Sequence, residues 1–193
     1  MKLSQQERQR IDAASAAAEA RTQARFVSVV LPASERYTLY PPLWGAMIAL
    51  MAGACLALAK PELSLRLGIL IEAAVFAAFA LAFDWFALRL LLVPKRVKHE
   101  HARNLAHREF AARILAPGRE GILFFVSLGE RYVEILATRE IHARVGEAAW
   151  NAIVVDFTAA AKAGRIADGA VAATEACAGH LAAHFPKENP PSH

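Results

Sequence analysis

Cysteine is scarce in this chain, with only Cys55 and Cys177 among 193 residues. One lies in a long apolar run and the other in a late helical pattern, so no disulfide framework is expected. Met1 to Arg25 is polar, charged and Ala-rich, and lacks the apolar h-region of a secretory signal. No zinc-type Cys/His spacing and no aromatic-basic RNA motif accompanies the net charge of +4, which sets nucleic acid aside as a partner. Gly118 and Gly121 do not form a phosphate-cradling loop, and no Ser-His-Asp arrangement can be argued from the linear order.

Apolar residues are abundant, at 56% of the chain, and much of that share is concentrated in two runs. Pro42 to Ala59 carries no charge and reaches ~27 Å as a helix, close to the ~30 Å of a bilayer core. Lys60-Pro61-Glu62-Leu63-Ser64-Leu65-Arg66 makes a polar turn, with Pro61 placed to stop the helix. Leu67 to Val93 follows, longer than a span requires and carrying Glu72, Asp84 and Arg89. The two runs read as a transmembrane helical hairpin; the competing reading is a buried helical hairpin within a soluble domain. Small residues recur every fourth position at Gly45, Ala49, Gly53 and Ala57, and again at Ala74, Ala78 and Ala82, a spacing that lets helices approach in lipid. Tyr37, Tyr40, Trp44 and Trp85 suit the interfaces.

Basic residues set the orientation. Arg21, Arg25 and Arg36 precede the hairpin, and Lys95, Arg96, Lys98 and Arg103 follow it, whereas Lys60 and Arg66 of the turn are opposed by Glu62. The bias predicts a multi-pass protein of the cell (inner) membrane with both termini cytoplasmic, its basic flanks drawn to anionic lipids of the bilayer.

Around the hairpin the pattern predicts one soluble domain, divided as residues 1–36, a hairpin with its basic flank over 37–98, residues 99–186 and a disordered tail over 187–193. Ser4-Gln5-Gln6-Glu7 is a capping box that opens a helix over about 5–20, weakly amphipathic through Ile11, Ala14 and Ala18. Phe26 to Leu31 is β-branched and ended by Pro32, so it reads as a strand. A helix is expected over 101–115, stopped by Pro117-Gly118. Ile122 to Leu128 has the continuous apolar character of a central strand. Gly129-Glu130 suggests a two-residue turn to a return strand over Tyr132 to Ala137. One helix with Val145, Ala149, Trp150, Ile153 and Phe157 along a stripe follows, and a last helix from about Asp168 carries Val171, Thr174, Ala178, Leu181 and Phe185. The fold class is α/β, a small α/β/α sandwich interrupted by the hairpin.

The run from Gly121 through Ser127-Leu128-Gly129-Glu130-Arg131-Tyr132 to Ala137 resembles the central hairpin of the TPM domain family. The resemblance continues through Arg139-Glu140-Ile141-His142, Val145-Gly146, Trp150 and Gly164-Arg165-Ile166-Ala167-Asp168-Gly169. It implies a membrane-associated α/β/α sandwich. In some relatives it implies acid phosphatase activity or calcium binding, in others an accessory role beside a larger membrane complex. This chain departs from the pattern where acidic residues are common: Gly118-Arg119-Glu120-Gly121 replaces an Asp-Asn-Gly type turn, Thr138 stands in place of an Asp, and Arg25 opens the first strand. Glu120 and Glu140 remain as candidate ligands for a divalent cation, which needs several oxygens.

Glu130, Arg131, Glu134 and Arg139 surround the β-hairpin as a candidate phosphate or interaction site, against the plainer reading of a solvated turn with cross-strand ion pairs. His99, His101 and His107 do not share a narrow helical face and read as surface residues near lipid headgroups. Glu72 and Asp84 are candidate intramembrane polar residues. No cofactor is expected beyond the calcium that the resemblance admits. The leading function is a membrane-tethered accessory, interaction or quality-control module. A phosphatase or metal-assisted hydrolase is one alternative. Ion or proton passage involving Glu72 is another, and it needs a homo-oligomer because two helices cannot enclose a pore.

Overall fold

A computed structural model describes residues 3–34, 37, 39–62, 64–82 and 93–187. The chain divides into two compact units, one formed by Met1–Ser34 with His99–His193 and the other by Glu35–Lys98.

In the first unit, α1 (Gln5–Ala20) begins at the anticipated cap. The Ser4 hydroxyl accepts from the Glu7 N–H at 3.2 Å, and the Ser4 N–H donates to the Glu7 carboxylate at 2.8 Å. These bonds satisfy donors that the first helical turn otherwise leaves without partners. β1 (Arg25–Leu31), β2 (Gly121–Ser127) and β3 (Tyr132–Ala137) form a three-stranded sheet in that order, β1 parallel to β2 and β2 antiparallel to β3. All seven residues of β2 are buried, which accounts for its unbroken apolar run.

Side chains alternate across the sheet. Phe26, Ile122, Phe124, Val126, Val133 and Ile135 join a cluster with Ile11, Trp150, Ile153, Phe157 and Leu181, contributed by α1 and the later helices. Val29, Leu123, Phe125 and Leu136 join a second cluster with Ala102, Ala106, Phe110 and Ile114 from α4 (Lys95–Phe110) and the turn after it. Each such large side chain withdrawn from water contributes about 1.5–3 kcal/mol. Phe124 meets Phe157 edge-on, with centroids 5.4 Å apart and an interplanar angle of 85°. After β3 come α5 (Arg139–Val145), α6 (Glu147–Lys162) and α7 (Ile166–His184). Gly169 allows α6 and α7 to close up, since a Cβ there would stand 2.8 Å from the Ala160 methyl. The end of α7 returns to the start of β1, where the Thr22 hydroxyl donates to the Phe185 carbonyl at 2.7 Å.

Several boundaries differ from expectation. The helix predicted over 101–115 starts at Lys95 and changes at Ala111–Leu115 to a π-helical turn, in which the Ala116 N–H donates to the Ala111 carbonyl at 2.8 Å. The single helix expected after β3 is two, divided at Gly146, whose φ of 86° interrupts the α conformation. The β2–β3 connection is a four-residue turn rather than a two-residue one, because pairing stops at Ser127 and Tyr132 and leaves Leu128 to Arg131 between them. Its left-handed residue is Arg131, at φ 53°, and not Gly129.

The second unit contains α2 (Tyr40–Ala59) and α3 (Leu65–Ala82), two helices long and apolar enough to cross a membrane. Pro41 lies in the first turn of α2, where its missing N–H breaks no helical bond. Gly45 and Ala49 are buried against α3, and a Cβ on Gly45 would stand 3.3 Å from Phe79 and 3.4 Å from Phe76. The α2 ridge of small residues is thus used in packing at Gly45, Ala49 and Gly53, with Ala57 exposed. Its expected counterpart on α3 is not, because Ala74, Ala78 and Ala82 are exposed while Val75 and Phe79 are partly covered. All the exposed large apolar side chains among the described residues, except Leu115 and Val155, belong to this unit. Asp84, Trp85 and Arg89 lie outside the described residues, as does the tail beyond Lys187.

Candidate functional site

The β2–β3 turn is built around a buried carboxylate. Ser127 closes the apolar strand with a hydroxyl that is fully buried and therefore needs a partner. That hydroxyl donates to Glu130, three residues on. The backbone N–H of Ser34, just past β1, donates to both Glu130 carboxylate oxygens at 3.0 and 3.1 Å. Two further bonds align the segments, from Leu128 N–H to the Leu31 carbonyl at 3.0 Å and from Gly129 N–H to the Pro32 carbonyl at 2.8 Å. Glu130 is only 4% exposed, so the reading of a solvated turn is wrong at this position. The sequence around it is unremarkable because its backbone donor lies 96 positions away.

Arg131 follows in left-handed backbone, a conformation that costs a non-glycine residue on the order of 1–3 kcal/mol and so needs support from its surroundings. Its N–H donates to the Leu128 carbonyl at 3.3 Å. The residue lines a cleft of about 490 Å³ between this turn and the α6–α7 junction. Val126, Val133, Phe157 and Ile166 supply apolar walls, and Lys162, the last residue of α6, supplies a second cation. No Asp or Glu lines the cleft.

The opposite end of the sheet holds different candidates. The Thr138 hydroxyl donates to Glu120 and accepts from the Gly121 N–H at 3.3 Å, while the Thr138 N–H donates to the Gly121 carbonyl at 3.0 Å. Glu140 is exposed and paired with Arg144 at 2.7 Å, and Arg139 is exposed. Glu134 belongs to a third place, on the sheet face that carries α4. The Tyr132 hydroxyl donates to it at 2.8 Å and His107 Nε2 stands 4.0 Å away. His99 packs against the Tyr132 ring with centroids 5.7 Å apart. His99 and His107 thus adjoin β3 while remaining exposed at the surface, as expected. Burial, then the Glu134 hydrogen bond, raises the Tyr132 pKa above its ordinary value.

No family model, curated protein or solved structure matches this chain. Its chemistry is therefore read from these three places. The six predicted residues do not form one site: Glu130 and Arg131 share one end, Glu120, Arg139 and Glu140 lie towards the other, and Glu134 faces α4. Among the described residues no three His, Cys, Asp or Glu side chains gather to hold a metal ion. Glu120 and Glu140 are engaged by Thr138 and Arg144, and they do not make the six to eight oxygen ligands of a calcium site. Sequence reasoning missed Ser34, Ser127 and Lys162. Ser127 had a legible signal, a hydroxyl closing an otherwise apolar run, whereas nothing in the linear order links Lys162 to Arg131.

Proposed function

We propose that the protein is a membrane-anchored TPM-like domain, in which α2 and α3 cross the bilayer and the α/β unit acts as an accessory or interaction module at the cytoplasmic surface. The observation that carries the reading is the exposure of the apolar pair. In the most hydrophobic 18-residue windows, 11% of the α2 residues and none of the α3 residues are buried. In water such a surface would be a liability, while in lipid it is the expected exterior. Apolar clusters on alternate faces of β2 support the sandwich architecture. The dispersal of Glu120, Glu130 and Glu140 favours an interaction module over a hydrolase.

Fractionation and labelling test the reading. The protein should stay with membranes through alkaline carbonate washing and leave them only in detergent. In a Cys55→Ala, Cys177→Ala background, Ser15→Cys should react from the cytoplasmic side and Glu62→Cys from the opposite side. Release by carbonate, or labelling of both cysteines from one side, would overturn it.

A further inference from the structure

We propose that the cleft between the β2–β3 turn and the α6–α7 junction binds a small organic anion, one carboxylate or phosphate head on a compact apolar body. This goes beyond membrane anchoring, because every lining residue belongs to the α/β unit.

Size, lining and charge agree. The volume of about 490 Å³ falls within the ~300–1,000 Å³ of small-molecule clefts. Val126, Val133, Phe157 and Ile166 offer an apolar wall that suits a hydrocarbon or aromatic body better than a hydrated ion. Arg131 and Lys162 bring two positive charges to this lining, and no carboxylate there opposes them. Among the described residues, neither side chain makes a hydrogen bond or ion pair within the protein. The neighbouring Glu130 carboxylate is engaged by Ser127 and Ser34. An anionic head is the ligand that this arrangement complements, with Arg131 offering a planar fork of donors and Lys162 a mobile point charge. Backbone geometry points the same way. The left-handed position of the turn is occupied by Arg131 although Gly129, which would take it without strain, lies two residues earlier.

The test uses the full chain in phosphatidylcholine nanodiscs with labelled Val, Ile and Thr methyl groups, read by NMR. The probes are 2-naphthoate, 2-naphthyl phosphate and uncharged 2-naphthamide, which share one apolar body. Both anions should give saturable shifts at Val126, Val133, Thr158 and Ile166, and the amide should bind at least about fivefold more weakly. Arg131→Gln and Lys162→Gln should each weaken anion binding about five- to tenfold while distant methyl signals stay in place. Because Lys162 is exposed at a helix end, its variant keeps the test valid if Arg131→Gln disturbs the turn. Equal binding of the amide, indifference to both substitutions, or absence of saturable shifts would overturn the proposal. So would the same shifts produced by phosphatidylglycerol nanodiscs without probe, which would place a lipid headgroup in the cleft. None of these outcomes bears on whether α2 and α3 span the bilayer.

Discussion

Glu72 of α3 occupies the notch that Gly53 leaves on α2, so that a methyl group on Gly53 would fall on the Glu72 side chain. An acidic residue in an otherwise apolar helix is thereby packed against its partner helix instead of facing outward along its whole length. Gly53→Val should expel the carboxylate and destabilise the α2–α3 pair by about 1–3 kcal/mol. Adding Glu72→Ala should recover part of that loss by making room, a non-additivity measurable by unfolding in mixed micelles. Simple addition of the two effects would show that the contact is not formed.

Glu130 holds the turn from within. Glu130→Ala should cost about 1–3 kcal/mol, because the buried Ser127 hydroxyl and the Ser34 N–H lose their acceptor. Glu130→Gln keeps an acceptor oxygen and should cost less. Urea unfolding followed by the fluorescence of Trp150, which is buried in the α/β unit, would rank the two variants. Equal losses would argue that charge rather than hydrogen bonding secures the turn.

The α1 cap should respond to acid. Backbone and then side-chain hydrogen bonds from Ser4 hold the Glu7 carboxyl below its ordinary value of 4.5. A depressed carboxyl pKa contributes stability that is complete above the unfolded value and is lost as pH falls through the folded one. The protection factors of the α1 amides, taken relative to their intrinsic exchange at each pH, should therefore fall below pH 4.5 in the natural protein. Ser4→Ala should already exchange faster at neutral pH and show a smaller further change in acid.

Cys177 should be chemically silent. It is fully buried, and burial pushes its thiol up to about 12, so almost no thiolate exists near neutrality. Alkylation at pH 8 should leave Cys177 unmodified until denaturant is added, as mass spectrometry of the α7 peptide would show. Rapid native labelling would mean that α7 opens locally.

Much of the α/β unit was legible because its cues are local. Ser4 and Glu7 announce a helix start by their spacing, Phe26 to Leu31 ends at a proline, and Trp150, Ile153 and Phe157 keep helical period. What escaped depends on partners distant in the chain. The turn length follows from where the Ser127–Tyr132 pairing ends, and Glu130 is buried because the backbone at Ser34 reaches it. The exposed Ala74, Ala78 and Ala82 make the same point. Spacing defines a ridge, but only the neighbouring helix decides whether the ridge is used. The cleft was equally hidden, since Arg131 and Lys162 come to line one cavity only after α6 has packed beside the sheet.

The parallel pairing of β1 with β2 also sets a timetable. Every residue of α2 and α3 leaves the ribosome before the partner of β1 has been made. At ~5–20 residues per second, Arg25–Leu31 waits several seconds as an unclaimed edge. The apolar pair thus emerges first, and the sheet closes only once the later β2 arrives to claim the waiting strand.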